Sequence, residues 1–318
     1  MTRPASSPTP PPDAGRGLLV TIRAALPTLR PAERRVAEAV LENPAAIAGR
    51  SISALADQCS TSGATVLRFC RAVGYRHYPD LRIALARETS REEADNGAGV
   101  HLTGDISATD SIEQIVAKIT YSDARAIEDT AATLDLVALS RAIDAVSGAE
   151  RVDIYGVGAS GFVAQDLHQK LHRIGLLSSV WPDPHAALTS AALLGPRDVA
   201  IAISHTGTTI DTIEALRVAA ASGAITIAIT NFGRSPLTEH ARQVLTTAAR
   251  ETTFRSGAMA SRIAQLAVID YLFVGVAQRS YERTMRALER TYAAVQNRRL
   301  PTRESRRCGR SSRPRRQA

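Results

Sequence analysis

The sequence predicts a chain of two units, an all-α unit followed by an α/β unit built on a doubly wound parallel sheet. Two observations carry this expectation. From Arg16 to Ser90 apolar residues recur at helical spacing, whereas from Arg151 onward short β-branched runs alternate with amphipathic helical stretches. A third observation is size: 318 residues, 44% of them hydrophobic, suffice for two cores, and with aromatics at only 4% those cores must be aliphatic.

Residues 1–15, "MTRPASSPTPPPDAG", are Pro-rich, lack the apolar stretch of a signal peptide and are expected to be disordered. The front unit is expected over 16–90. In "RPAERRVAEAVLENP" Pro31 and Glu33 mark a helix start, Val36, Val40 and Leu41 share a face, and Asn43-Pro44 stops the helix. "SISALADQCSTSGATVLRFCRAVGY" reads as two short helices with a tight break. Ser51 or Ser53 caps the first, with Ile52, Leu55 and Ala56 inward, and Ser62 caps the second, which Gly74 ends. Val66, Phe69, Cys70 and Val73 form the buried stripe of that second helix, and Thr65, Arg68, Arg71 and Ala72 are expected to face outward.

Residues 91–109 are polar and contain glycine, as an interdomain linker would. The second unit is expected over 110–296. It opens with two amphipathic helices, "DSIEQIVAKITYSDARAIEDT" and "DLVALSRAIDAVSGA". The strand-like runs are "RVDIYGV", "LLSSVW", "DVAIAIS", "AITIAIT" and "RQVLTTA", with helical patterns between them. A helical stretch from Gly257 to about Gln296 closes the unit. Such a sheet leaves the loops at the carboxyl ends of its strands free for ligand.

The net charge is +8, yet residues 297–318 alone hold nine Arg and one Glu, which accounts for all of it. This tail is expected to be disordered and available to polyanions only nonspecifically. The front unit is itself basic, with eleven Arg against six acids over 16–90. The absence of any run of about 18 uninterrupted apolar residues argues against a membrane span. Cys59, Cys70 and Cys308 form no CxxC pair, so neither a disulfide framework nor a zinc site is expected, and a reducing cytoplasm fits.

Two short helices meeting at a tight turn form a helix-turn-helix, whose second helix enters the DNA major groove. Arg68 has the chemistry to pair with guanine, Ser62 and Thr65 to touch phosphates or base edges, and Arg71 to meet the backbone. Ser60 stands where such turns commonly have Gly, and Thr61 where they commonly have an aliphatic residue. "RSISALADQCSTSGATVLRFCRAVGYRHYPDLRIALA", through Ala56, Ser62, Thr65-Val66, Arg68-Phe69-Cys70 and Gly74-Tyr75, resembles the N-terminal domain of the RpiR family of bacterial transcriptional regulators. The resemblance implies operator DNA as a partner.

In the second unit, "YGVGASGF" places Gly156, Gly158 and Gly161 in the GxGxxG spacing after a strand. That spacing permits a nicotinamide-binding, redox-sensing repressor, with Asp183 as the ribose-binding acid. A dinucleotide, however, leaves the loop "ISHTGTT" after the third strand without a role. A phosphate ester uses both loops. Ser204, Thr206 and Thr209 offer hydroxyls, Gly207 lets backbone amides approach, and the following helix supplies its positive end. No GxxxxGK[ST] pattern exists, so hydrolysis of nucleoside triphosphates is not expected.

"GVGAS", "ISHTGTT", "AITIAITNFGRSPL" and "SRIAQLAVIDYLF", in that order, resemble a sugar isomerase (SIS) domain, a Rossmann-like fold and the usual partner of the RpiR helix-turn-helix. The resemblance implies that Ser204, His205, Thr206, Gly207 and Thr209 cradle a sugar phosphate, with Gly158 and Ser160 beside the sugar. It implies no cofactor, and a phosphorylated sugar such as N-acetylmuramic acid 6-phosphate as effector. It also implies that the chain pairs as a homodimer or homotetramer. Glu251, after the last strand-like run, is the best candidate base for an aldose–ketose isomerase. In a sensor Glu251, Arg255 and Ser256 would bind sugar hydroxyls or an acidic group instead, and binding without turnover suffices for a regulator. Ser204 and His205 are adjacent on a tight loop and no acid orients the histidine, which argues against a hydrolase. His185 and His205 have no recognisable partner ligands and read as ordinary polar histidines, so no metal is expected.

Overall fold

The computed structural model describes residues 18–26, 29–95, 106–250, 258–296 and 298. The Pro-rich lead and, apart from Arg298, the Arg-rich tail lie outside the described residues.

The front unit contains α1 (Leu18–Ala25), α2 (Pro31–Glu42), α3 (Pro44–Ala48), α4 (Ile52–Gln58), α5 (Gly63–Ala72) and α6 (Tyr78–Asp95). Val36 and Val40 of α2, Leu55 and Ala56 of α4, and Val66, Phe69 and Cys70 of α5 meet in one core with Leu81 and Leu85 of α6. The outward expectation for Thr65 is overturned. Its side chain is buried and bonded to Ser62 Oγ and to Arg68, because the Ser62 cap draws the first turn of α5 against α2. Burial pushes the Cys70 thiol up to about 11 and raises Cys59 as well. Neither sulfur is therefore poised as a nucleophile.

Ser51 accepts from Ala54 N at 3.2 Å and Ser62 from Thr65 N at 3.3 Å, which satisfies exposed amides at the starts of α4 and α5. Between the helices Ser60 takes φ +47°, the left-handed conformation that a side chain disfavours. Arg35 of α2 clamps the turn by donating from Nε to the Cys59 carbonyl at 3.0 Å and from Nη2 to the Ser60 carbonyl at 3.1 Å. Ser60→Gly is expected to stabilise the front unit by about 0.5–1 kcal/mol, since the φ penalty exceeds the entropy glycine adds to the unfolded chain. Chemical denaturation checks this, and an unchanged or lower midpoint would refute it.

Helix α6 runs five residues into the expected linker, to Asp95. "REEAD" contains good helix formers, and the first glycine comes only at Gly97.

The second unit begins with α7 (Ile112–Thr133) and α8 (Leu136–Gly148). It continues as β1 (Val152–Gly156), α9 (Ala159–Arg173), β2 (Ser178–Val180), α10 (Pro184–Ala191), β3 (Val199–Ile203), α11 (Ile210–Ala221), β4 (Ile225–Thr230), a 3-10 turn (Pro236–His240) and β5 (Gln243–Thr246). Helices α12 (Ala260–Arg279) and α13 (Tyr281–Gln296) follow. All five expected runs form strands, paired parallel in the order β2-β1-β3-β4-β5. The chain reverses direction across the sheet between β1 and β3, where Gly156 stands opposite Ile203. Such a reversal opens a crevice at the strands' carboxyl ends.

The two faces of the sheet differ in side-chain size. Val199, Ile201, Ile203, Ile227 and Ile229 pack with α8, α9 and α12, while Ala200, Ala202 and Ala228 face α10 and α11. Alternation along each strand thus places bulk on one side and lets helices approach closely on the other. Helix α12 is long and apolar enough to cross a membrane. Here Ala264, Val268, Ile269 and Leu272 are buried and the helix packs on α7, α8 and α9, as the core helix of a globular unit does.

Candidate functional site

Strand β1 runs straight into α9. A Cβ on Gly156 would lie 2.7 Å from the Ser160 carbonyl, so only glycine lets the helix start this close to the strand. Gly158 occupies the N-cap of α9, and Ser160 follows in its first turn. Ser160 Oγ exchanges hydrogen bonds with the Gln265 side-chain amide of α12 at 3.2–3.3 Å.

The neighbouring strand β3 ends in the hydroxyl-rich loop. Ser204 is 3% exposed; its Oγ accepts from Gly207 N at 3.2 Å and pairs with Thr209 Oγ1 at 3.1 Å. Thr206 is exposed and accepts from both the amide and the hydroxyl of Thr208. Gly207 has φ +65°, and the Leu237 amide of the 3-10 turn donates to its carbonyl at 3.0 Å. The His205 carbonyl accepts from Asn231 N at 3.0 Å and from Thr230 Oγ1 at 3.2 Å, and its ring meets Phe232 edge-on. Thr209 is the N-cap of α11 but its side chain makes no capping hydrogen bond to the first amides of that helix, whose first turn also carries Asp211.

The two loops open into one cleft of about 230 Å³, lined by Ser160, Ser204, His205, Thr206 and Thr209. Gly207 is buried behind this wall and Gly158 lies at the cap of α9 beside it. Sequence reasoning missed the floor, where Ser261 lines the cleft and Gln265, 1% exposed, holds Ser160 from below. A lone glutamine amid the apolar "IAQLAVIDYLF" was the available signal. Glu251, Arg255 and Ser256 lie outside the described residues.

Asp183, the acid that a dinucleotide would need, caps α10 by accepting from Ala186 N at 2.8 Å. One oxygen of this exposed carboxylate is thereby engaged by that helix. No group of three or more His, Cys, Asp or Glu suited to a metal occurs among the described residues.

On the front unit, Ser62, Arg68 and Arg71 are exposed along α5. Arg68 is half-exposed and held in place by Glu33 of α2 at 3.1 Å and by Thr65 Oγ1 at 2.8 Å. Its guanidinium is thereby held on the outer edge of the helix by Glu33 and Thr65. Arg71 is exposed one turn closer to the helix end.

Two family models match the chain: a helix-turn-helix domain of the rpiR family over residues 16–92 and a SIS domain over residues 146–275. An uncharacterised HTH-type transcriptional regulator of Caldanaerobacter subterraneus is 38% identical over 283 residues, covering 89% of this chain and 98% of that one. A similarly described regulator of Haemophilus influenzae is 30% identical over 273 residues, 86% of this chain and 94% of that one. Among solved structures, the Vibrio vulnificus NanR protein complexed with ManNAc-6P is 31% identical, with a TM-score of 0.57 over 89% of this chain and 100% of that one. The sugar isomerase domain of an RpiR transcription factor from Sphaerobacter thermophilus is 28% identical, with a TM-score of 0.52 over 56% of this chain and 98% of that one.

Proposed function

Given that this chain belongs to the rpiR family of helix-turn-helix transcriptional regulators and carries a SIS domain, we propose that a phosphorylated sugar bound in the β1–β3 cleft controls its affinity for operator DNA. One observation carries the reading: Ser160 and the Ser204–Thr209 loop share a cleft at the ends of adjacent strands, beside a helix N-terminus without a side-chain cap. A phosphate dianion suits that arrangement. Ser204, Thr206 and Thr209 donate hydroxyl protons, the first amides of α11 add N–H groups, and the helix dipole favours negative charge. Ser160, oriented by Gln265, faces the sugar. The likeness to the NanR protein complexed with ManNAc-6P supports an N-acetylated amino sugar 6-phosphate as the effector class.

Operator contact falls to α5, with Arg68 and Arg71 as its cations and Ser62 at its N-cap. Half-site spacing in such readers calls for a homodimer or a homotetramer, and the reaction the cleft performs is binding without turnover. Transcriptional control places the chain in the cytoplasm.

The test is calorimetric titration of the full chain with N-acetylmannosamine 6-phosphate and N-acetylmuramic acid 6-phosphate, with NADH as the control. Replacing Ser204 and Thr206 together by alanine is expected to weaken sugar-phosphate binding about 30-fold or more, since each charge-assisted hydrogen bond contributes on the order of 1 kcal/mol or more. Unchanged affinity in the double variant would remove the cradle. Saturable micromolar binding of NADH would favour the dinucleotide reading instead.

A further inference from the structure

A path of hydrogen bonds, completed by one ion pair, leads from the back of the Ser204–Thr209 loop to the front unit, and the cleft itself does not use it. It begins at Asn231, just past β4 and 7% exposed. The Asn231 amide donates to the His205 carbonyl at 3.0 Å. Its side chain accepts from Ala249 N at 2.8 Å and donates to the Ala249 carbonyl at 3.3 Å, so one residue joins the loop to the segment leaving β5. The same segment is fastened to α7 by Ala248 N, which donates to Thr130 Oγ1 at 3.0 Å.

The next residue, Arg250, crosses to the other unit. Its Nη2 lies 3.8 Å from Glu88 Oε1 of α6, and both side chains are largely shielded, at 31% and 14% exposure. Glu88 in turn accepts from the Leu19 amide at 3.2 Å, at the start of α1. A longer-range electrostatic pull between the units runs alongside. Burial pushes the Asp129 carboxyl of α7 up, against the pull of Arg250, of Arg125 and of Arg23 from α1. The segment that Asn231 holds thus carries, one residue on, a largely shielded cation aimed at a carboxylate that accepts from the start of a helix of the other unit.

We propose that Asn231 and the Arg250–Glu88 pair are positioning residues that transmit occupancy of the Ser204–Thr209 loop to helices α1 and α6, and so to the placement of α5. The proposal rests on the function proposed above and adds the route of its regulation. Coupling of this kind is carried by packed, bonded elements with two arrangements, and it shows itself as a change in one site's affinity when the other is filled.

Two experiments on the full chain separate the route from the effector. The first needs no sugar. Asn231→Ala is expected to raise amide hydrogen exchange in α1, on the far side of the path, by about tenfold, and adding Arg250→Gln is expected to raise it no further. Asn231→Asp, which keeps the acceptor and removes the donor, is expected to give a smaller rise, and stands in if the alanine variant fails to fold. Unchanged exchange in α1 for both Asn231 variants, or rises that simply add, would overturn the route.

The second measures the affinity for an operator duplex, selected with the ligand-free protein, in the presence and absence of saturating N-acetylmannosamine 6-phosphate. Glu88→Gln and Arg250→Gln are each expected to keep sugar affinity and ligand-free DNA affinity within about threefold, while the sugar's effect on DNA affinity shrinks about fivefold or more. The double variant is expected to match the singles, as a pair acting as one unit does. A full sugar effect in both single variants would overturn the route. A sugar effect missing from the unsubstituted chain, with the exchange result as expected, would overturn the effector assignment alone.

Discussion

Gly207→Ala is expected to destabilise the second unit by about 2–5 kcal/mol and to weaken sugar-phosphate binding at least tenfold. Two costs add. The residue sits at φ +65°, where a Cβ costs about 1–2 kcal/mol. A Cβ built there would also lie 2.2 Å from Ser235 Oγ and 2.6 Å from Ser235 Cβ, and overpacking a filled site costs about 1–3 kcal/mol. The strain falls on the loop that presents Ser204, Thr206 and Thr209, so binding suffers with stability. Adding Ser235→Gly removes the clashing atoms but leaves φ unchanged, and is expected to restore roughly half the lost stability. Denaturant unfolding and calorimetry check both variants. A Gly207→Ala chain that unfolds at the midpoint of the parent would show that the loop rearranges freely, and the cradle geometry would fall with it.

Asp153→Ala is expected to cost about 3 kcal/mol of stability while leaving sugar-phosphate affinity within about threefold. Asp153 lies wholly buried in β1. Its carboxylate accepts from Arg151 Nε and Nη2, each at 2.8 Å, from Trp181 Nε1 at 2.9 Å and from Ser190 Oγ at 2.5 Å. The Tyr155 hydroxyl adds a longer bond at 3.4 Å, and burial first, then the adjacent carboxylate, pushes that phenol well above its usual range. Alanine would leave the Trp181 indole without its acceptor and Arg151 with only the Ser190 hydroxyl to donate to, and removing one partner of a buried charged pair costs more than the pair contributes when intact. Arg151 keeps 27% exposure, so water reaches part of its guanidinium and the lower end of that range applies. The cluster lies on the α10–α11 face of the sheet, away from Ser160 and α12, which is why binding is expected to survive. Loss of stability together with loss of binding would show that β1 transmits strain to the cleft.

These two residues differ in how readable they were. Gly207 stands in a loop whose Ser, Thr and Gly content already pointed to phosphate, so its importance was legible. Asp153 was not: an acid inside "RVDIYGV" looks like any polar interruption of a strand until Trp181 and Ser190 are seen to converge on it. Thr65 shows the opposite error. Its place beside Arg68 on the helical repeat suggested an outward face, but the Ser62 cap and the proximity of α2 turn it inward.

What the sequence determined by itself was whatever depends on near neighbours along the chain. The helical repeat of α4 and α5, the β-branched runs of the five strands, and the glycines and hydroxyls of the β1–α9 and β3–α11 loops are all local patterns, and their order alone implied a helical unit before a parallel sheet. Only the tertiary structure decided which distant residues meet. Ser160 finds Gln265 on α12, Asn231 binds Ala249 beyond β5, and Arg250 reaches Glu88 in the other unit. The physical reason is that periodicity reports which side of an element is apolar, whereas a polar partner is chosen by packing across the sheet, and packing leaves no repeat in the sequence.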